Sequence, residues 1–127
     1  RLVQVAKQLA IHQSILALPK GYDTAVGLQA ASLPAGIVQR ILIASAIYPK
    51  PKYVFFDESD AFLDQAGQHI YKQLLIDLQQ QGTTVVYATQ RRSLVDVADK
   101  VLLMENGRCG YLDAANVHNI SLIKGPS

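Results

Sequence analysis

Residues 53–58 read Tyr53-Val54-Phe55-Phe56-Asp57-Glu58, an apolar aromatic run that closes on two adjacent carboxylates. Four such residues before an acidic pair predict a short strand buried on both faces, as in a parallel sheet. In open parallel sheets, ligands bind at the carboxyl ends of the strands. An acidic pair in that position suits a magnesium ion held through Asp57 and a water polarised by Glu58. Two solvated residues at a strand end account for the pair almost as well, so the neighbouring sequence has to decide between the two.

Downstream, residues 65–81 carry helical spacing, with a stripe of Ile70, Leu74 and Leu78 flanked by Tyr71 and Leu75, and Gly82 as the stop. Residues 83–88 predict a second buried strand, 94–99 a short helix and 101–104 a third strand. Asn106-Gly107 is a hairpin signal leading to a last strand over 109–112. Strand and helix alternate, which predicts parallel crossovers in a layered α/β fold. Upstream, apolar positions in 2–18 predict a helix interrupted near residues 12–14 and stopped by Pro19. Residues 19–32 suggest an irregular connection. A second helix is predicted over 34–48, with Pro34 in its first turn and Pro49 and Pro51 beyond its end. The first 50 residues thus suggest a helical lobe ahead of the α/β unit.

Composition narrows the class. The chain has 127 residues, 50% hydrophobic and 17% charged, which suits a packed core and argues against disorder. A formal net charge of +2, with Arg91-Arg92 the only adjacent basic pair, gives no basis for a nucleic-acid partner. One cysteine, Cys109, precludes an internal disulfide and is expected to be a small buried hydrophobe. His12, His69 and His118 have no ligand-like spacing. Tyr22 and Phe62 are expected to pack. No apolar run nears the roughly 18 residues that a membrane span requires. The sequence opens on Arg1 and its one methionine is Met104, which suggests a piece of a longer polypeptide.

Several short segments together resemble the ATP-binding domain of ABC transporters. Leu18-Pro19-Lys20-Gly21-Tyr22-Asp23-Thr24 resembles the segment that precedes the signature motif in exporter-type domains. Leu33-Pro34-Ala35-Gly36-Ile37 stands where the family has its LSGGQ signature, and Gln39-Arg40 and Ala44-Ser45-Ala46 follow in order. Asp57-Glu58 matches the Walker B aspartate and catalytic glutamate, and Leu63-Asp64 the end of the D-loop. Thr84-Val85-Val86, Thr89-Gln90-Arg91, Ala98-Asp99-Lys100-Val101 and Asn106-Gly107-Arg108 complete the series over residues 5–117. The resemblance implies a P-loop NTPase-like three-layer α/β fold of which this chain supplies the C-terminal half. Residues 1–50 would be part of the helical subdomain, 51–117 the Walker B to switch region, and 118–127 a C-terminal tail.

The same resemblance implies site roles. Asp57 would ligate Mg2+, Glu58 would act as general base, Gln90 would occupy the switch position, and Asp64 would work across a dimer. Leu33, Pro34, Ala35, Gly36 and Ile37 would face a partner's bound ATP. The whole protein would use ATP and Mg2+, sit at the cytoplasmic face of the inner membrane, and pair with an exporter's transmembrane domain and a second ATPase domain. Its work would be to couple ATP binding and hydrolysis to export of a peptide, protein, toxin or lipid. Three departures favour the alternative of a degenerate, non-hydrolysing half of a dimer. Pro34 removes the signature's hydroxyl and a backbone N–H, and Ala35 adds a Cβ where backbone must approach phosphate. Gln90 replaces the histidine that contacts the γ-phosphate, keeping hydrogen bonding without proton exchange. A Gly-x-x-x-x-Gly-Lys-Ser/Thr loop, the element that cradles phosphates, is missing from the 127 residues, so this chain alone is expected to be inactive.

Overall fold

The computed structural model describes residues 1–29 and 32–112. The expected 118–127 tail and His118 lie outside the described residues. The chain divides into two compact units, Arg1–Ala88 and one that begins at Thr89.

The first unit opens with α1 (Leu2–Gln8) and α2 (His12–Leu16). The break falls at Ala10, before the expected 12–14, and Ala10 takes the left-handed φ of 54°. Its N–H reaches the Lys7 carbonyl at 3.0 Å and that of Ile11 reaches Ala6 at 2.9 Å. This is the 5→2 and 6→1 pattern that closes many helices, here on a residue other than glycine. Within the expected irregular stretch lie a 3-10 turn (Gly21–Asp23) and a short α3 (Val26–Gln29). His12 Nδ1 and the Tyr22 hydroxyl, 2.7 Å apart, join α2 to that turn. Helix α4 (Ala35–Ile47) follows, with Ile43 and Ile47 buried.

Strand β1 (Tyr53–Asp57) is joined through α5 (Gln65–Gln80) to the parallel β2 (Thr84–Ala88), with Tyr53 opposite Thr84 and Asp57 opposite Ala88. Parallel neighbours need such a crossover because no tight turn can join them. Helix α5 buries Tyr71, Leu74, Leu75 and Leu78. Its inward stripe is therefore rotated toward Tyr71 and Leu75, and Ile70 stays half-buried at the margin. Phe56 and Tyr71 form a T-shaped ring pair with centroids 5.7 Å apart. Gly82, at φ 84°, ends α5, with its N–H on Gln79 and that of Thr83 on Leu78, both at 3.0 Å. The expectation of a doubly buried β1 is corrected. Val54 and Phe56 point into the core, while Tyr53 and Phe55 face outward, Phe55 at 73% exposure. Pleating sends alternate side chains to opposite faces, and only one face of this strand pair is covered.

The second unit holds α6 (Arg92–Val95), earlier and shorter than the expected 94–99 helix, and two strands, β3 (Val101–Glu105) and β4 (Arg108–Leu112). These pair antiparallel, and Asn106 and Gly107, at φ 50° and 73°, make the two-residue turn that Asn-Gly foretells. Within this unit β3 pairs with β4 in a hairpin. Cys109, expected buried, is exposed on the hairpin.

Candidate functional site

The carboxyl end of β1 runs directly into a turn, residues 58–64, before α5 begins. Glu58 extends the parallel ladder by one bond, its N–H donating to the Ala88 carbonyl at 3.1 Å. Its φ of 47° is left-handed, a conformation that few non-glycine residues adopt. Such backbone persists where the surroundings over-determine it, and it clusters at functional sites. Here the Ala88 carbonyl before it and the Ala61 N–H, which donates to Glu58's own carbonyl at 3.0 Å, fix the turn from both sides. The result exposes the Asp57 and Glu58 side chains together at the strand end. Two accessible carboxylates offer the hard oxygen donors that suit a magnesium ion.

Ser59 and Asp60 then turn inward, Asp60 to 4% exposure. Burial, the Asp60 carboxylate and Tyr87, in that order, hold the Tyr71 phenol protonated well above its ordinary range. Phe62, expected to pack, is 66% exposed. The turn closes on Asp64, whose Oδ1 accepts from the Gly67 N–H at 2.7 Å and so caps α5 at its third residue. The same oxygen faces Arg40 Nη2 at 3.4 Å.

The start of α4 lies against this turn. A Cβ on Gly36 would stand 3.1 Å from the Phe62 carbonyl oxygen, so the helix approaches the turn as closely as a glycine permits. Pro34 is the N-cap of α4 and not its first helical residue, and its own side chain makes no cap bond. Proline at this place has no hydroxyl to accept a first-turn N–H, the service that serine provides. Leu33 and Ile37 are half-buried, whereas Pro34 and Ala35 are exposed. The structure thus brings Asp57, Glu58, Asp64 and the 33–37 segment into one unit. Gln90 is exposed in the second unit, between Thr89 and Arg91, where the Arg91 N–H donates to Thr89 Oγ1 at 3.0 Å.

Sequence reasoning placed Arg40 in a motif without giving it a role at the site, and passed over Gly67 and the inward turn of Asp60. The Asp64-x-x-Gly67 spacing of an N-cap and its third residue was the available signal. Among the described residues there is no cluster of three His, Cys, Asp or Glu side chains able to hold a metal, and no helix long and apolar enough to cross a membrane.

A βαβ unit with an acidic turn at its strand end, faced by the start of a preceding helix, is an α/β arrangement of the class that receives ligands at the carboxyl ends of its strands. No family model matches the chain. Over 107 residues it is 40% identical to the leukotoxin translocation ATP-binding protein LktB of Mannheimia haemolytica, and equally to those of Bibersteinia trehalosi and Mannheimia glucosida. Each match covers 84% of this chain, which spans 15% of the relative's length. A bacterial Atm1-family ABC exporter solved with ATP bound superposes with a TM-score of 0.78 at 26% identity, over 93% of this chain and 21% of that one. The chain belongs to the ATP-binding family of ABC exporters.

Proposed function

We propose that this chain supplies the Walker B, D-loop and switch region of an exporter's P-loop-type ATPase domain, residues 1–50 being part of its helical subdomain. The whole protein couples ATP binding and hydrolysis to export, and cargo of the toxin class follows from the likeness to leukotoxin translocation proteins. The observation that carries this is the Glu58 turn: two carboxylates exposed at the carboxyl end of a parallel strand, on backbone held left-handed by the neighbouring strand. Asp57 would hold Mg2+, which when bound would neutralise charge on the ATP phosphates. Glu58 accepts a proton from the attacking water. Gln90 takes the switch position, and Asp64 works across the dimer with a second ATPase domain. The partner transmembrane domain places the assembly at the cytoplasmic face of the inner membrane.

The start of α4 supports a second reading, in which this domain is a weakly hydrolysing or non-hydrolysing half. With Pro34 at the N-cap, the Leu33–Ile37 segment itself offers a phosphate only backbone groups and a helix end. The test is Glu58→Gln in the polypeptide that carries this segment. Loss of general-base catalysis is expected to lower turnover about 10²–10⁴-fold. Equal rates for both proteins would refute the role of Glu58. ATP binding without turnover in the unmodified protein would establish the second reading.

A further inference from the structure

We propose that Arg40 is a positioning residue that locks the 58–64 turn to the helical lobe, through Asp64 on one side and the Leu9 carbonyl on the other. The proposal rests on the ATPase reading of Asp57 and Glu58. Arg40 lies in the second turn of α4 with its side chain only 12% exposed, an unusual depth for a guanidinium. Its Nη2 faces Asp64 Oδ1 and its Nη1 donates to the Leu9 carbonyl, each at 3.4 Å. Leu9 is the residue on which α1 ends, and a helix C-terminus attracts positive charge. One side chain therefore joins the end of α1, the body of α4 and the cap of α5.

Two further observations describe the space around this joint. A Cβ on Gly67 would stand 3.0 Å from Arg40 Nη2, 2.9 Å from Asp64 Oδ1 and 3.2 Å from Leu63 Cβ, so a side chain there would displace the bridge. One turn earlier in α4, Gly36 lies close against the Phe62 carbonyl. The start of α4 thus meets the turn at two points, one of backbone packing and one of charge. Glu58 begins the turn that Asp64 ends, so a shift of the lobe carried by Arg40 moves the whole segment that presents Glu58.

Both Arg40 contacts are longer than the 2.7–2.9 Å typical of charge-assisted bonds, and the buried Nε has no partner among the described residues. Lysine cannot replace Arg40, because a single ammonium lacks the fork that reaches an acid and a carbonyl in different directions.

The test uses the polypeptide that carries this segment, with Arg40→Met, Asp64→Asn, the double variant and Arg40→Lys. ATP turnover is measured as kcat and KM, and backbone amide exchange is followed over residues 34–38 and 60–67. Each single variant is expected to lower kcat about tenfold with KM within about twofold, since misplacement and not ground-state binding is the lesion. The double variant falls no further than the worse single variant, because the two residues act through one joint. Arg40→Lys recovers only part of the rate, and Asp64→Asn speeds exchange in 34–38 as well as in its own segment. Additive losses would overturn the proposal, as would a loss on Asp64→Asn that Arg40→Met does not share. If Glu58→Gln leaves turnover unchanged, the ATPase reading fails instead. The exchange arm then decides the joint alone, and exchange in 34–38 that ignores Asp64→Asn would overturn it.

Discussion

Gly67→Ala and Gly27→Ala should change stability in opposite directions, although both replace a helical glycine by the best helix former. At Gly27, in α3, an added Cβ meets nothing within 4 Å and φ lies outside the left-handed region. Alanine there should stabilise the fold by about 0.4–1 kcal/mol, chiefly by restricting the unfolded chain. At Gly67 the same propensity gain of about 1 kcal/mol is available. Against it stands a Cβ 2.9 Å from the oxygen that caps the helix, 3.0 Å from Arg40 Nη2 and 3.2 Å from Leu63 Cβ. Asp64 has a short side chain and already accepts from Gly67's own N–H, so it cannot swing away and keep the cap. Losing the cap costs about 1 kcal/mol, and crowding a packed site costs about 1–3 kcal/mol more. The net for Gly67→Ala is thus a destabilisation of about 1–3 kcal/mol after the propensity gain is subtracted. Urea unfolding of the chain followed by circular dichroism measures both variants, with equal m-values required for the comparison. If Gly67→Ala is as stabilising as Gly27→Ala, the cap, bridge and glycine do not form one tight cluster.

Pro34→Ser should add an N-cap acceptor to α4 while freeing the unfolded chain, for a net stabilisation of about 0.5 kcal/mol. A lower melting temperature for this variant would refute the N-cap geometry of residue 34. Tyr71 supplies a pH test. The folded phenol stays protonated where the unfolded one ionises above about pH 10, so stability is whole below that pH and falls by up to about 1.4 kcal/mol per pH unit above it. Tyr71→Phe should be less stable at neutral pH yet lose stability less steeply from pH 10 to pH 12, and parallel profiles would contradict the burial of the hydroxyl.

Much of the fold was legible because two strong local signals agree with tertiary structure. The 3.6-residue spacing of 65–81 ending at Gly82 became α5, and Asn106-Gly107 became the β3–β4 turn. The errors have particular physical sources. Tyr53-Val54-Phe55-Phe56 is apolar at every position, and composition alone does not say which face finds a partner; the β1–β2 pair covers only the Val54 and Phe56 side. The α1–α2 break at Ala10 was misplaced because alanine gives no warning of a left-handed residue, which the paired bonds of Ala10 and Ile11 nevertheless enforce.

At the candidate site, the residues with chemistry were legible and those that place them were not. Asp57 and Glu58 announce themselves by charge after an apolar run, whereas Gly36, Arg40 and Gly67 acquire meaning only from distances. Gly36 shows why this matters. It is the one glycine of Leu33–Ile37 that the family's glycine-rich signature retains here, and read from sequence it looks like a remnant of phosphate binding. In the structure a Cβ at that position would stand 3.1 Å from the Phe62 carbonyl oxygen, a tight approach that favours glycine there on packing grounds. The contact between α4 and the 58–64 turn thus accounts for Gly36 without a phosphate clamp. With Pro34 where the signature has serine, Gly36 and Arg40 would still tie the start of α4 to that turn.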